Sequence, residues 1–182
     1  MSSNAASTTS LRKAFRVFRR NRRGSAAVEF ALVAPVFFAL LFAIIETALV
    51  FFANQVLETI GQNSARTIMT GQAQNAAYTP ALFKSNVVCP QIPALFTCAD
   101  VFVDVQSYPG FSNVSISSQI DGAGNFINTM NYSPGGPGDI VVVRLFYKWP
   151  LIVTGMGFNM SNLAGSKRLL MATAAFRNEP YL

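Results

Sequence analysis

The stretch Arg22-Arg23-Gly24-Ser25-Ala26-Ala27-Val28-Glu29-Phe30-Ala31-Leu32-Val33-Ala34-Pro35 sets a cationic cluster, one glycine and one glutamate at the mouth of a long apolar run. Upstream, seven basic residues fall between Arg12 and Arg23, and no acid precedes Glu29. Downstream, Glu29 and Glu46 are the only ionisable side chains from Ala26 to Ala53. Phe30–Ile45 contains neither charge nor amide. The 28 residues of that run reach roughly 42 Å as a helix, at ~1.5 Å per residue. The hydrocarbon core of a bilayer is ~30 Å thick, so one crossing is covered with a turn or two to spare. No other run approaches this length.

The flanks set an expected orientation. Residues 1–23 carry +7, whereas residues 24–182, with seven basic and eight acidic side chains, carry −1. The overall +6 therefore belongs to a short leader and gives no reason to expect a nucleic-acid partner. By the positive-inside rule the leader is cytoplasmic and the chain beyond about residue 54 lies across the membrane. A cleaved secretory signal is the competing reading. It is disfavoured because its apolar core would be ~7–15 residues, followed by a small-x-small site.

Two features of the run exceed anchoring. Small residues recur every fourth position at Ala27, Ala31, Ala39, Ala43 and Thr47, with Pro35 interrupting. Such a ladder lets helices approach closely in lipid, although alanine-rich helices acquire it by composition alone. Pro35 removes a helical hydrogen bond and is expected to loosen the helix locally. Acidic residues in a membrane segment are costly and point to function. Glu29 reads as an interfacial charge near the basic cluster. Glu46 reads either as an outer-interface charge, the preferred reading, or as a buried pairing site among helices.

The Gly24–Pro35 stretch resembles the type IV prepilin processing pattern, and more closely the opening of the TadE-like family, pseudopilins of the bacterial tight-adherence (Flp) pilus. The resemblance is strong over about forty residues. It returns at Arg177-Asn178-Glu179-Pro180-Tyr181, and more faintly at Pro137-Gly138-Asp139 and Trp149-Pro150. It implies that a prepilin peptidase cuts between Gly24 and Ser25, leaving a new α-amino group one helical turn from Glu29. A cation–carboxylate contact there, within one subunit or between neighbours, would offset the cost of burying Glu29 in low dielectric. The resemblance also implies partners: other pilins and pseudopilins, inner-membrane assembly proteins and the lipid bilayer. Phe30, where major Flp pilins tend to carry Tyr, and the large outer domain favour a minor pseudopilin. The expected location is the bacterial inner membrane, single-pass, with a periplasmic C-terminal domain.

Beyond Ala53 the spacing of Leu57, Ile60, Gly61, Ser64, Ala65 and Ile68 continues a helix with one small-and-apolar face. The expected organisation is a leader at 1–24, a transmembrane helix at 25–53, a helical extension at 54–76 and a sheet domain at 77–182. Tyr78–Cys98 is proline-rich and reads as irregular. Cys89 and Cys98 match neither a CxxC redox motif nor a zinc pair. Outside the cytoplasm they are expected to form a disulfide, with two free thiols as the alternative. Strands are expected from Val101, near Val114–Ser118, at Phe126–Met130, over Ile140–Trp149 and over Leu169–Phe176. Asp121–Asn125 is a turn and Ser133–Gly138 a loop. The fold class is α+β, a long helix whose outer half covers a small antiparallel sheet. Pro150–Leu163 is an apolar loop, either folded over the core, which is preferred, or exposed to a partner or the outer leaflet.

No catalytic constellation is apparent. The chain has no histidine and two cysteines, which excludes the Ser-His-Asp and Cys-His arrangements and a four-thiolate metal site. Asp100 and Asp104 share a strand face about 13 Å apart at ~3.3 Å per residue, too far for a glycosidase pair. Gly122-Ala123-Gly124 lacks the remainder of a dinucleotide fingerprint. No cofactor or metal is expected. The expected function is thus that of a non-enzymatic minor pseudopilin. The rival readings are an uncleaved membrane-anchored binding module or adhesin, and an accessory subunit of a membrane enzyme.

Overall fold

A computed structural model describes residues 24–154 and 158–181. The basic cluster ahead of Gly24, and Met156 of the apolar loop, lie outside the described residues. Two compact units are present, comprising residues 24–42 and 43–181 of those described. One helix, α1 (Ser25–Met69), runs through Pro35 without interruption. In the first unit most of its large apolar side chains are exposed. Phe30, Leu32, Val33, Phe37, Leu40 and Phe42 are all more than half exposed. By length and composition this helix is able to cross a membrane.

In the second unit the periodicity of α1 becomes a buried stripe. Leu57, Ile60, Ser64, Ala65 and Ile68 are buried, while Gln62, Asn63 and Arg66 face outward. The stripe joins a hydrophobic core with a three-stranded antiparallel sheet of order β1-β2-β3. The strands are β1 (Val101–Tyr108), β2 (Ile140–Pro150) and β3 (Lys167–Arg177). Direct pairs such as Val103↔Leu145 and Leu145↔Ala172 put Val101, Val105, Val141, Val143, Tyr147, Leu170 and Ala172 on the helix-facing side. The approach is close at Gly61, where an added Cβ would lie 3.1 Å from the Ala172 Cβ. Burial of Leu57, Ile60 and Ile68 contributes roughly 1.5–3 kcal/mol each.

The chain ends α1 at Met69 and turns at Gly71, in the left-handed region at φ 75°. A short helical turn, Gln72–Asn75, follows. The expected extension to residue 76 is therefore broken, because Gly71 accommodates a conformation that a helix interior cannot. A Cβ at Gly71 would also fall on the Tyr181 ring.

Tyr78–Cys98 is not irregular throughout, contrary to expectation. Thr79 accepts a hydrogen bond from the Leu82 N–H and caps a helical turn at Pro80–Phe83. This runs into a π-helical turn, Lys84–Val88, and a 3-10 turn, Cys89–Gln91. The local signal was present: a threonine before a proline is a strong start for a helix.

Two of the expected strands are absent. Residues 114–118 and 127–130 form no strand, and only an isolated Ile120↔Phe126 bridge joins that region around the Asp121 turn. Asp121 closes the turn by accepting from the Ala123 and Asn125 N–H groups. These hydrogen bonds, the Asn125 N–H first, hold its carboxyl below the ordinary range. The segment lies instead over the sheet face turned away from α1. Phe126 packs against Phe102 and Phe146 there, with ring centroids 4.7 and 5.9 Å away. The free edge of β1 is taken by residues 131–133. Val105 donates to the Asn131 carbonyl and accepts from the Ser133 N–H. β2 is consequently buried on both faces from Ile140 to Tyr147.

Candidate functional site

The residues expected to act in processing and assembly lie along the start of α1. Gly24 directly precedes the helix and Ser25 opens it. Glu29, Phe30 and Pro35 are exposed, with Phe30 at 68%. The helix thus offers an apolar surface broken by one carboxylate. Such a surface suits lipid or other helices, and acidic groups are rare in membrane segments unless a partner offsets their cost.

Glu46 behaves differently. Only 7% of it is exposed, and its carboxylate accepts the backbone N–H groups of Ile152 and Val153. The Val153 nitrogen lies 3.1 and 3.0 Å from the two oxygens. This contact is additional to the expected outer-interface position: Glu46 pins the loop after β2 to α1 from 106 residues away. The next residue, Thr47, donates to the Ala43 carbonyl one turn back at 2.7 Å and touches Met160. Leu151 and Leu163 are buried and Met160 packs on the core, so most of the apolar loop folds inward. Ile152 does not, being 90% exposed.

Cys89 and Cys98 form the expected disulfide, with Cα atoms 5.5 Å apart. It ties the helical turns at 80–91 to the start of β1. Inside the closed loop Phe96 turns into the core, edge-on to Tyr147 at 4.8 Å and Trp149 at 5.9 Å. The adjacent Lys84 donates to the Ala99 carbonyl at 3.1 Å. Burial lowers its pKa, and the nearby Asp100 offsets part of that effect.

Asp100 and Asp104 do not share a strand face. Asp100 belongs to a 3-10 turn before β1, and Asp104 is fully buried. Opposite it in the register stands Arg144, also buried. Arg144 Nε and Nη2 donate to one Asp104 oxygen at 3.0 and 2.8 Å. The other oxygen accepts from the Asn131 N–H at 2.8 Å and from Gln106. Arg144 also donates to the Ser117 carbonyl at 3.0 Å. Gln119, with its amide oriented to satisfy its neighbours, donates to the Ile127 carbonyl and accepts from Arg144. This pair, unrecognised in the sequence, stitches the 117–131 segment to the sheet. Knowing the β1–β2 register would have been enough to find it.

The C-terminal stretch closes the end of α1. The Glu179 N–H donates to the Met69 carbonyl, one of the acceptors a helix end leaves unpaired. Buried Asn178 donates to the Pro134 and Gly136 carbonyls at 2.9 and 3.0 Å. Tyr181 reaches the Gly135 carbonyl. The Arg177–Tyr181 and Pro137–Asp139 stretches, far apart in sequence, therefore meet in one hydrogen-bonded knot.

Residues 24–66 match the family model described as TadE-like protein. This is a TadE-like segment. The match begins at Gly24 and ends within the buried stripe of α1. It covers Glu29, Phe30, Pro35 and Glu46 and none of the sheet. No curated protein and no solved structure matches the chain. The TadE-like segment links the chain to Tad/Flp pilus systems in general and is consistent with an anchor that crosses a membrane once.

Proposed function

We propose that the protein is a non-enzymatic minor pseudopilin that supports assembly of a tight-adherence pilus. In this reading a prepilin peptidase cuts after Gly24. The mature chain then begins with α1 in the bacterial inner membrane, with its sheet domain in the periplasm. The observation that carries the reading is one of register: the TadE-like match starts at Gly24, and α1 starts at the next residue. A glycine before the cut permits close backbone approach by the peptidase. The freed amino group of Ser25 lies about one helical turn from Glu29, close enough to offset that carboxylate's cost in lipid.

Partners follow from the same surfaces. The exposed apolar half of α1 is the contact for other pilin helices and for lipid. The sheet domain is the face offered to assembly proteins. The fitting test is Glu29→Ala in a piliated strain. Membrane insertion is expected to persist, because removing a charge from an apolar helix favours insertion. Pilus formation is expected to fall. Normal piliation with stable Glu29→Ala protein would contradict the assembly role.

A further inference from the structure

We propose that the 151–154 loop is a lipid-contacting element through which the folded unit sits on the adjacent leaflet, with Ile152 inserted and Glu46 holding the loop's amides. The inference rests on the reading of α1 as a membrane span, and on nothing about the pilus.

Three observations within the second unit converge. First, folding sorts the loop's apolar side chains. Leu151 and Leu163 are buried and Met160 joins the core, yet Ile152 is 90% exposed, the most exposed large hydrophobic described. Leaving Ile152 in water forgoes the gain of burying it. Second, α1 is apolar and exposed at the same level. Ile44, Ile45, Leu49, Phe51 and Phe52 flank Glu46 in sequence, and all are more than 40% exposed. In sequence they prolong the apolar run that reads as the span, and Glu46, which holds the loop, lies among them. Third, the backbone is prepared for such surroundings. An amide N–H left without a partner in an apolar medium is costly, whereas at a water-exposed loop the solvent supplies the acceptor. The N–H groups of Ile152 and Val153 are the two that the Glu46 carboxylate takes. Their donation in turn satisfies a carboxylate that would otherwise be expensive in an apolar run. The loop and the helix thus neutralise each other's polar groups at the point where lipid would meet them. The contact committed to is lipid rather than a second protein helix, because the side chains around Glu46 prolong in sequence the apolar run that reads as the span.

The test uses the full chain with its disulfide intact, reconstituted in phosphatidylethanolamine–phosphatidylglycerol vesicles. An environment-sensitive nitrobenzoxadiazole label is placed on Ile152→Cys, on Leu40→Cys within the span, or on Asn75→Cys at the far end of the second unit. All three positions are exposed, so labelling leaves the core intact. The label at 152 is expected to shift to the blue and to be quenched by lipid carrying a shallow doxyl group. At 75 it is expected to be quenched by aqueous iodide alone. Adding Glu46→Ala is expected to abolish lipid quenching at 152 while leaving it at 40. Iodide quenching at 152 equal to that at 75 would overturn the proposal. So would a blue shift without lipid quenching, which would mark a protein cover. Unchanged lipid quenching at 152 in the Glu46→Ala protein would overturn the role given to Glu46. A label at 40 that escapes lipid quenching would overturn the membrane-spanning reading itself, and the loop proposal with it.

Discussion

Replacing Asp104 with alanine strands the Arg144 guanidinium inside the domain. Asp104 is fully buried and Arg144 only 2% exposed, so water cannot take over the lost contacts. The variant removes the acceptor of two Arg144 donors and of the Asn131 N–H. Breaking a buried ion pair by deleting one partner costs about 3–5 kcal/mol, most of it from the charge left uncompensated. For a folded unit of this size, that lowers the thermal midpoint by about 10–20 °C. Trp149, the sole tryptophan, packs against Phe96 and Tyr147 in the core and reports unfolding by fluorescence. Arg144→Met alone orphans the carboxylate and is expected to cost a similar amount. The double variant Asp104→Ala/Arg144→Met removes both charges. It still removes the partners of the Asn131 N–H and the Ser117 carbonyl, but both residues are exposed, so water takes over part of that loss. It is expected to be less destabilised than the sum of the single variants by about 3 kcal/mol. Single variants within about 1 kcal/mol of the parent, or strictly additive ones, would refute the reasoning.

Tyr132 packs against Phe83 with the rings tilted, yet its hydroxyl is buried with no partner among the described residues. Burial, with a smaller contribution from Tyr78, pushes its pKa from 10.0 to about 12. The neutral phenol is favoured in the folded state. Its stabilising contribution is complete below pH 10 and is lost as pH rises toward about 12. Tyr132→Phe should therefore match or exceed the parent by up to about 1 kcal/mol at neutral pH and lack this alkaline loss, as chemical denaturation across pH would show. Reducing the Cys89–Cys98 bond reopens a loop of about ten residues and should cost roughly 2.7 kcal/mol, read as a lower melting temperature in dithiothreitol.

Much of this architecture is written locally. The helical spacing from Leu57 to Ile68 marks the buried stripe, and the alternation of Val141, Val143, Leu145 and Tyr147 marks the central strand. The failures share one cause. Alternation at Val114, Ile116 and Ser118 suits a strand, but it equally suits a chain laid across a sheet face. The edge of β1 was already taken by residues 131–133. The Asp104–Arg144 pair depends on register, and Glu46 meets Ile152 across 106 residues. No local pattern encodes either contact. Glu29 is the opposite case: its significance comes from its distance to Gly24, which the sequence states outright, and it is exposed on α1.

The central claim is that the working protein begins at Ser25. Intact-mass and N-terminal mass spectrometry of the protein from its native membrane, with the peptidase present, tests it most directly. The account predicts a chain lacking residues 1–24, with Ser25 as its N-terminal residue. A protein that retains its Met1–Arg23 leader under those conditions would contradict it.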